Sequence, residues 1–487
     1  SEALYPQITQ PSLERAEEMQ QSNASAKELA AAVRAKSVSA LELTDAAIAR
    51  VEALDGPINA VVVRDFDRAR DQARQVDLAV ANGADLPLAG VPMTVKETFN
   101  IAGLPTTFGL ESARDHRPAE DAAAVRRLKD AGAVILGKTN VALGLADYQS
   151  DNPVYGRTNN PHDLTRSPGG SSGGSAAALA AGMVPLELGS DAGGSIRVPA
   201  SFCGVFGHLS SVDIISLEGF GPPGGGIVPR PRAWAAAGPM ARTAEDLELA
   251  LRVLAGPEGR DATAYRLALP PPRHDRLSGY RVFVLTQHPT ATADGEIVAA
   301  IDDLAANLER AGASVSRHSE LLPSLAESQA LVEKFGWVYR TGMDPDAPEP
   351  KGTVKDFYDC FMAQEVLRRQ WDAFFRSFDV VVAPCYSAPA FPHFTEPDPW
   401  PGLNRTLRID GADLPFAPQH AWPLIAGMPH LPATAAPIGR TRDGLPIGAQ
   451  FIGPFLEDLT TIAFAGHLSA EFGMTAEVAA RGDSERP

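Results

Sequence analysis

Two stretches rich in glycine and serine carry the residues best suited to chemistry: GGSSGGS at 169–175 and GSDAGGSIRVPASFCG at 189–204. Ser171 and Ser195 stand 24 residues apart within them. Between them lie SAAALAAGM, a small-residue helix suited to close burial, and MVPLEL, a short strand. Glycine allows close backbone approach and unusual dihedrals. In DAGGS several N–H groups can therefore converge on one point, which is what an oxyanion hole requires. Either loop alone reads equally well as a turn with a capping serine. Both together, with Lys96 near the end of the strand-like LAGVPMTVKET at 88–98, favour nucleophilic chemistry. A serine hydroxyl is a poor nucleophile until a neighbour takes its proton. A lysine can do so only when neutral, and burial at a strand end would lower its pKa from the ordinary ~10.4.

Two literal motif matches point elsewhere and fail on context. Residues 132–139, GAVILGKT, fit the phosphate-loop pattern G-x-x-x-x-G-K-[ST]. Their apolar centre wants to be a buried strand, whose ladder would consume the N–H groups a phosphate needs. Lys138, the competing lysine, then follows a core strand in a KTN loop. Residues 169–173, GGSSG, fit the G-x-S-x-G elbow, but the preceding LTRSP is no strand. Ten histidines leave a Ser–His–Asp triad conceivable, yet none stands in a loop that suggests one. No His/Cys/Asp/Glu cluster has ligand spacing, so no metal is expected.

The elements that must position these residues alternate between helix and strand. Apolar spacing predicts two helices over 26–54, a strand at 58–63, and a helix ending at Gly83. A helix and the strand AVILG follow within 121–140, and RVFVL at 281–285 opens another strand–helix unit. FDVVVAPC at 378–385 reads as a buried strand, and 428–454 holds two more. This alternation predicts an α/β protein with a mixed sheet. With no clean linker or repeat, one large domain is expected over 26–487, after an N-terminal extension at 1–25. Within it, 216–239 reads as a Gly/Pro-rich loop and 319–378 as a helical substrate-pocket region, whose aromatics serve equally well as core.

Composition narrows the partners. The chain has 487 residues, 44% hydrophobic and 21% charged, ordinary for a soluble globular protein. A net charge of −17 repels phosphate backbones, and RHDR at 273–276 is too short to offset it, so no nucleic-acid partner is expected. Cys203, Cys360 and Cys385 are scattered, which offers neither a disulfide framework nor a zinc site and suits a reducing compartment. The first twenty residues lack the basic start and apolar run of a signal peptide. The alanine-rich run at 175–184 falls short of the ~18 apolar residues of a membrane span. The expectation is a cytoplasmic protein without membrane association.

The stretch GGSSGGSAAALAAG…GSDAGGSIRVPASFCG closely resembles the signature of the amidase signature family. VPMTVKETFNIAGLPTT resembles that family's segment around its catalytic lysine, and GLPIGAQFIG at 444–453 resembles its late strand. The resemblance runs from about 26 to 470. It implies a single α/β domain with a mixed, twisted sheet flanked by helices, and neither metal nor organic cofactor. It implies Ser195 as nucleophile, Ser171 as bridging serine after a cis bond from Gly170, and Lys96 as base. The N–H groups of Ala192, Gly193, Gly194 and Ser195 would form the oxyanion hole, with Asp191, Arg197 and Ser172 in support.

One departure is plain: after the FCG turn, family members usually read G-L-K-P-T or similar, whereas this chain reads GHLSS at 207–211. The following segment, with GFGPPGGG at 219–226, is expected to line the substrate entrance. The GH start and the later PPG are similar to stand-alone amidases of aryl amides, anilides and carbamates. The expected partner is thus a small-molecule amide or carbamate, on a monomer or homodimer, with esters as further substrates. The nearest alternative is the glutaminase subunit of a tRNA-dependent amidotransferase. The missing K-P-T-like stretch and the aromatics Phe335, Trp337, Tyr339, Tyr358 and Phe361 point away from it. A catalytically dead binding protein and a phosphate-loop nucleotide binder are the readings from other classes.

Overall fold

The computed structural model describes residues 24–221, 235–343, 346–395 and 405–479. The first described helix, Ala26–Arg34, begins at a capping box: Ser25 accepts from the Glu28 N–H, and Glu28 accepts from the Ser25 N–H. Ser39 and Glu42 repeat the device at Ala40–Leu54. These boxes satisfy donors that the first turn of a helix leaves unpaired.

The centre is a sheet of eleven strands among the described residues. In spatial order they are Val61–Arg64, Val134–Thr139, Pro92–Lys96, Leu186–Asp191, Ala236–Ala241, Phe206–Leu209, Ala433–Arg440, Pro446–Ile452, Val380–Pro384, Arg281–Val284 and Ser314–Ser316. Pro92–Lys96 runs parallel to both its neighbours, whereas Leu186–Asp191 meets Ala236–Ala241 antiparallel. The sheet is therefore mixed, helices flank it, and the expected single α/β domain is what forms. The strand of Lys96 and the strands on either side of it are buried at every position, including their polar residues Thr94, Glu187 and Asp191.

Two sequence readings change. The strand at Val134–Thr139 continues through Lys138 and Thr139, so Lys138 lies inside a buried strand and not in a loop after it. The phosphate-loop match is consumed by this ladder. The expected loop at 216–239 ends in a central strand, Ala236–Ala241, with partners on both edges. Its sequence, AAGPMA, has little β propensity, and pairing decides its state. Residues 222–234 of that loop, and 1–23 of the N-terminal extension, lie outside the described residues.

The helical region contains Leu325–Met343 and Val354–Phe374. Several of its aromatics pack between the two helices. Phe335 is fully buried and meets Phe361 and Phe357 edge-on, at ring distances of 5.1 and 6.0 Å. Trp337 packs on the same core cluster, whereas Tyr339 and Tyr358 face solvent. Among the described residues no helix is long and apolar enough to cross a membrane.

Candidate active site

The strand Pro92–Lys96 and the strand Leu186–Asp191 are hydrogen-bonded neighbours, with Thr94 opposite Glu187. This register brings Lys96 to the same sheet end as Ser190 and Asp191. The Ser171 loop reaches that end by running into the helix Gly173–Ala180, which is buried along its whole length because its residues are small. The Gly170–Ser171 peptide bond is cis. Gly170 cannot be replaced easily, since a Cβ there would lie 2.4 Å from the Asp147 carbonyl oxygen.

Lys96 Nζ stands 2.7 Å from Ser171 Oγ and 3.2 Å from the Ser190 carbonyl oxygen. Lys96 is fully buried and Ser171 nearly so. Burial lowers the Lys96 pKa from 10.5 to about 7, against the opposing pull of Asp191. A neutral amine donates to the Ser190 carbonyl and presents its lone pair to the Ser171 hydroxyl. The same 2.7 Å contact can then carry a proton from Ser171 to Lys96.

Ser195 sits on the turn between Asp191 and the helix Arg197–Cys203, and is half-buried. Its carbonyl accepts from the Ser172 N–H at 3.1 Å, which ties the two serine loops together. Ser172 Oγ donates to the Ser190 carbonyl at 3.3 Å.

Asp191 organises the turn. Its carboxylate accepts from the N–H groups of Gly194, Ile196 and Arg197, at 2.6, 3.1 and 3.4 Å. It is paired at 3.0 Å with the Arg197 guanidinium, both groups being fully buried. Burial pushes the Asp191 carboxyl up, but Arg197 and the backbone donors outweigh it and hold the pKa below 3.8. Arg197 also donates to the Pro423 carbonyl at 2.8 Å and to Gln450 Oε1 at 2.5 Å. Gln450 is a residue that sequence reasoning passed over. Its signal was an amide inside the buried strand PIGAQFI, where an unpaired polar group is costly.

The expected oxyanion donors divide. The Gly194 N–H is engaged by Asp191 and is not free for a ligand. Among the described residues nothing accepts from the N–H groups of Ala192, Gly193 or Ser195. Gly194 has φ +107°, and a Cβ there would lie 2.8 Å from both Pro423 Cβ and Val198 Cγ2. A second glycine is thus needed for the turn itself.

Lys138, the competing lysine, is also fully buried, and burial lowers it from 10.5 to about 8. It donates to Thr106 Oγ1 at 2.8 Å and to the Pro105 carbonyl, and contacts neither serine. No histidine is hydrogen-bonded to Ser195 among the described residues. His208, in the departing GHLSS, is fully buried and bridges Thr434 Oγ1 at 2.9 Å and Asp458 Oδ1 at 3.1 Å. Asp458 also accepts from Ser211 N–H and Oγ, at 2.8 and 2.7 Å. The departure is thus a buried polar anchor that ties its strand to Thr434 of the neighbouring strand and to Asp458 at the start of the helix Asp458–Phe472. No group of three His, Cys, Asp or Glu residues is placed to hold a metal among the described residues.

A model of the family described as Amidase matches residues 42–347 and 349–462. A glutamyl-tRNA(Gln) amidotransferase subunit of Anaeromyxobacter sp. (strain K) is 32% identical over 494 residues, covering 92% of this chain and 96% of that protein. Fatty-acid amide hydrolase 2-A of Danio rerio is 32% identical over 495 residues, covering 92% of this chain and 88% of that one. Among solved structures, one from work on the evolutionary origins of an s-triazine catabolic enzyme is 32% identical. It covers 94% of this chain and 100% of its own, with a TM-score of 0.78. A family match over most of the chain, together with relatives of this identity and coverage, makes this chain a member of the Amidase family of amidase-signature hydrolases.

Proposed function

We propose that this chain hydrolyses linear carboxamides through an acyl-enzyme on Ser195. The observation that carries the reading is the 2.7 Å contact between a buried Lys96 and Ser171, beside a turn with free N–H donors. Ser195 Oγ attacks the amide carbonyl while its proton passes through Ser171 Oγ to Lys96 Nζ. The N–H groups of Ala192, Gly193 and Ser195 receive the developing oxyanion. The tetrahedral adduct then breaks its C–N bond as Lys96 returns the proton through Ser171 to the leaving amine. Water repeats the cycle on the Ser195 ester, releasing the acid.

Two substrate readings follow. One is a small-molecule amide, anilide or carbamate cleaved by the chain alone; the similarity to a fatty-acid amide hydrolase supports it. The other is the side-chain amide of glutamine, with this chain as glutaminase subunit of an amidotransferase. The amidotransferase relative, matched over 96% of its length, supports it at least as strongly. One sequence feature that argued against it loses force, because Phe335, Trp337 and Phe361 serve helix packing.

A serine-directed phosphonate tests the nucleophile: the reading expects one label, on Ser195, and a label on Ser171 alone overturns it. A panel of acetanilides, carbamates, short aliphatic amides and glutamine then separates the two substrate readings. Turnover of glutamine confined to a larger assembly favours the amidotransferase role; turnover of anilides by the isolated chain favours the stand-alone enzyme.

A further inference from the structure

We propose that Tyr148 is a positioning residue for the oxyanion site, holding the Gly193–Gly194 peptide unit so that the free N–H groups of the turn face the reacting carbonyl. The inference rests on the reading of Ser195 as nucleophile. Tyr148 was not among the residues singled out by sequence.

The Tyr148 hydroxyl donates to the Gly193 carbonyl. The N–H at the other end of that same peptide unit, on Gly194, donates to Asp191 Oδ1 at 2.6 Å. Because a peptide unit is planar, fixing its carbonyl and its N–H fixes the whole plane. Such a clamp matters here because both flanking residues are glycines, whose dihedrals allow the plane to turn over at little cost. A flip would break both bonds and redirect the adjoining N–H groups, and an oxyanion site depends on donors already aimed before reaction.

The clamp is itself held rigidly. Tyr148 is buried, its ring stacked on His420 at 4.6 Å and 23°, and set edge-on to Tyr386 at 4.9 Å and 76°. Its own carbonyl accepts from Ser167 Oγ at 2.8 Å, and Ser167 Oγ accepts from the Gly169 N–H at 3.0 Å. One residue thus braces the approach to Ser171 by its backbone and the turn before Ser195 by its hydroxyl. Burial, reinforced by the Asp191 charge, pushes the phenol pKa upward, so the hydroxyl stays a donor. Tyr386 provides an internal control, since its buried hydroxyl has no hydrogen-bond partner among the described residues.

The experiment compares Tyr148→Phe and Tyr386→Phe with wild type, using an anilide substrate and an aryl boronic acid that forms a tetrahedral serine adduct. Tyr148→Phe keeps the ring and loses only the hydroxyl. The expected result is a fall in kcat of about 10- to 100-fold with KM within about threefold, below the loss from deleting an oxyanion donor outright. Boronate affinity should fall by the same factor, and Tyr386→Phe should match wild type. Unchanged kcat and boronate affinity in Tyr148→Phe would overturn the inference. So would equal losses in both variants, which would mark a general packing effect. Phosphonate labelling of the wild type separates the two claims: no label on Ser195 defeats the nucleophile, whereas a label with unaltered Tyr148→Phe kinetics defeats only the clamp.

Discussion

Replacing Lys96 with methionine should abolish amide hydrolysis and, at the same time, stabilise the protein in a pH-dependent way. Burial lowers the Lys96 pKa from 10.5 to about 7. A pKa difference of one corresponds to about 1.4 kcal/mol, so below pH ~7 the folded state bears a penalty on the order of 5 kcal/mol for this one lysine. Between pH 7 and 10.5 the unfolded chain binds more protons than the folded one, so wild-type stability rises with pH across that window. Above it the penalty is gone. Methionine is one heavy atom shorter than lysine and carries no charge, so it removes the penalty. It also leaves Ser171 Oγ and the Ser190 carbonyl without their Nζ partner, at about 1 kcal/mol each. The second loss is softened because Ser172 Oγ also reaches that carbonyl. The expected net gain for Lys96→Met is about 3 kcal/mol at pH 6, declining to nothing or slightly below by pH 10. Urea unfolding of both proteins at pH 6, 7, 8, 9 and 10 measures it. A difference that stays constant across this range, or a variant less stable at pH 6, would refute the claim that Lys96 is neutral in the folded enzyme.

Arg197→Met should destabilise by about 3–5 kcal/mol, because it leaves Asp191 charged and buried without its partner; thermal unfolding reads this directly. Gly194→Ala should lose most activity while binding substrate normally, since its Cβ would press on Pro423 and Val198 and reshape the turn; kcat and KM measured separately test this. His208→Leu should cost about 1–3 kcal/mol of stability through the partners left on Asp458 and Thr434, yet leave the ranking of substrates unchanged. A changed ranking would contradict a purely structural role for His208.

What sequence could reveal here was set by how local the cause is. The strand of Lys96 and the two serine loops are legible because apolar runs and glycine-rich turns dictate their own conformation. The strand Ala236–Ala241 was hidden because alanine, glycine and proline carry no β signal, and its pairing with residues some fifty positions earlier, at Leu186–Asp191, imposes it. The aromatics of the helical region looked equally fit for a pocket or a core. Only the approach of Phe335 to Phe357 and Phe361 on the next helix decides for packing. At the site, residue types pointed to Ser195, Ser171 and Lys96, but the direction of individual N–H groups was beyond reach. That Asp191 takes the Gly194 N–H, and that Tyr148 takes the Gly193 carbonyl, are facts of three-dimensional approach.

The proton relay is tested most directly by the pH–rate profiles of wild type and Lys96→Ala on a matched anilide and aryl ester, with Lys138→Ala alongside. In wild type, kcat/KM on the anilide should rise as pH crosses about 7, where Lys96 becomes neutral. Lys96→Ala should lose that limb and lose anilide cleavage far more than ester cleavage, because an amine leaving group needs its proton returned and a phenolate does not. Lys138→Ala, which touches neither serine, should retain the wild-type ratio and profile. Equal losses on both substrates in Lys96→Ala, with the wild-type pH profile kept, would contradict the relay.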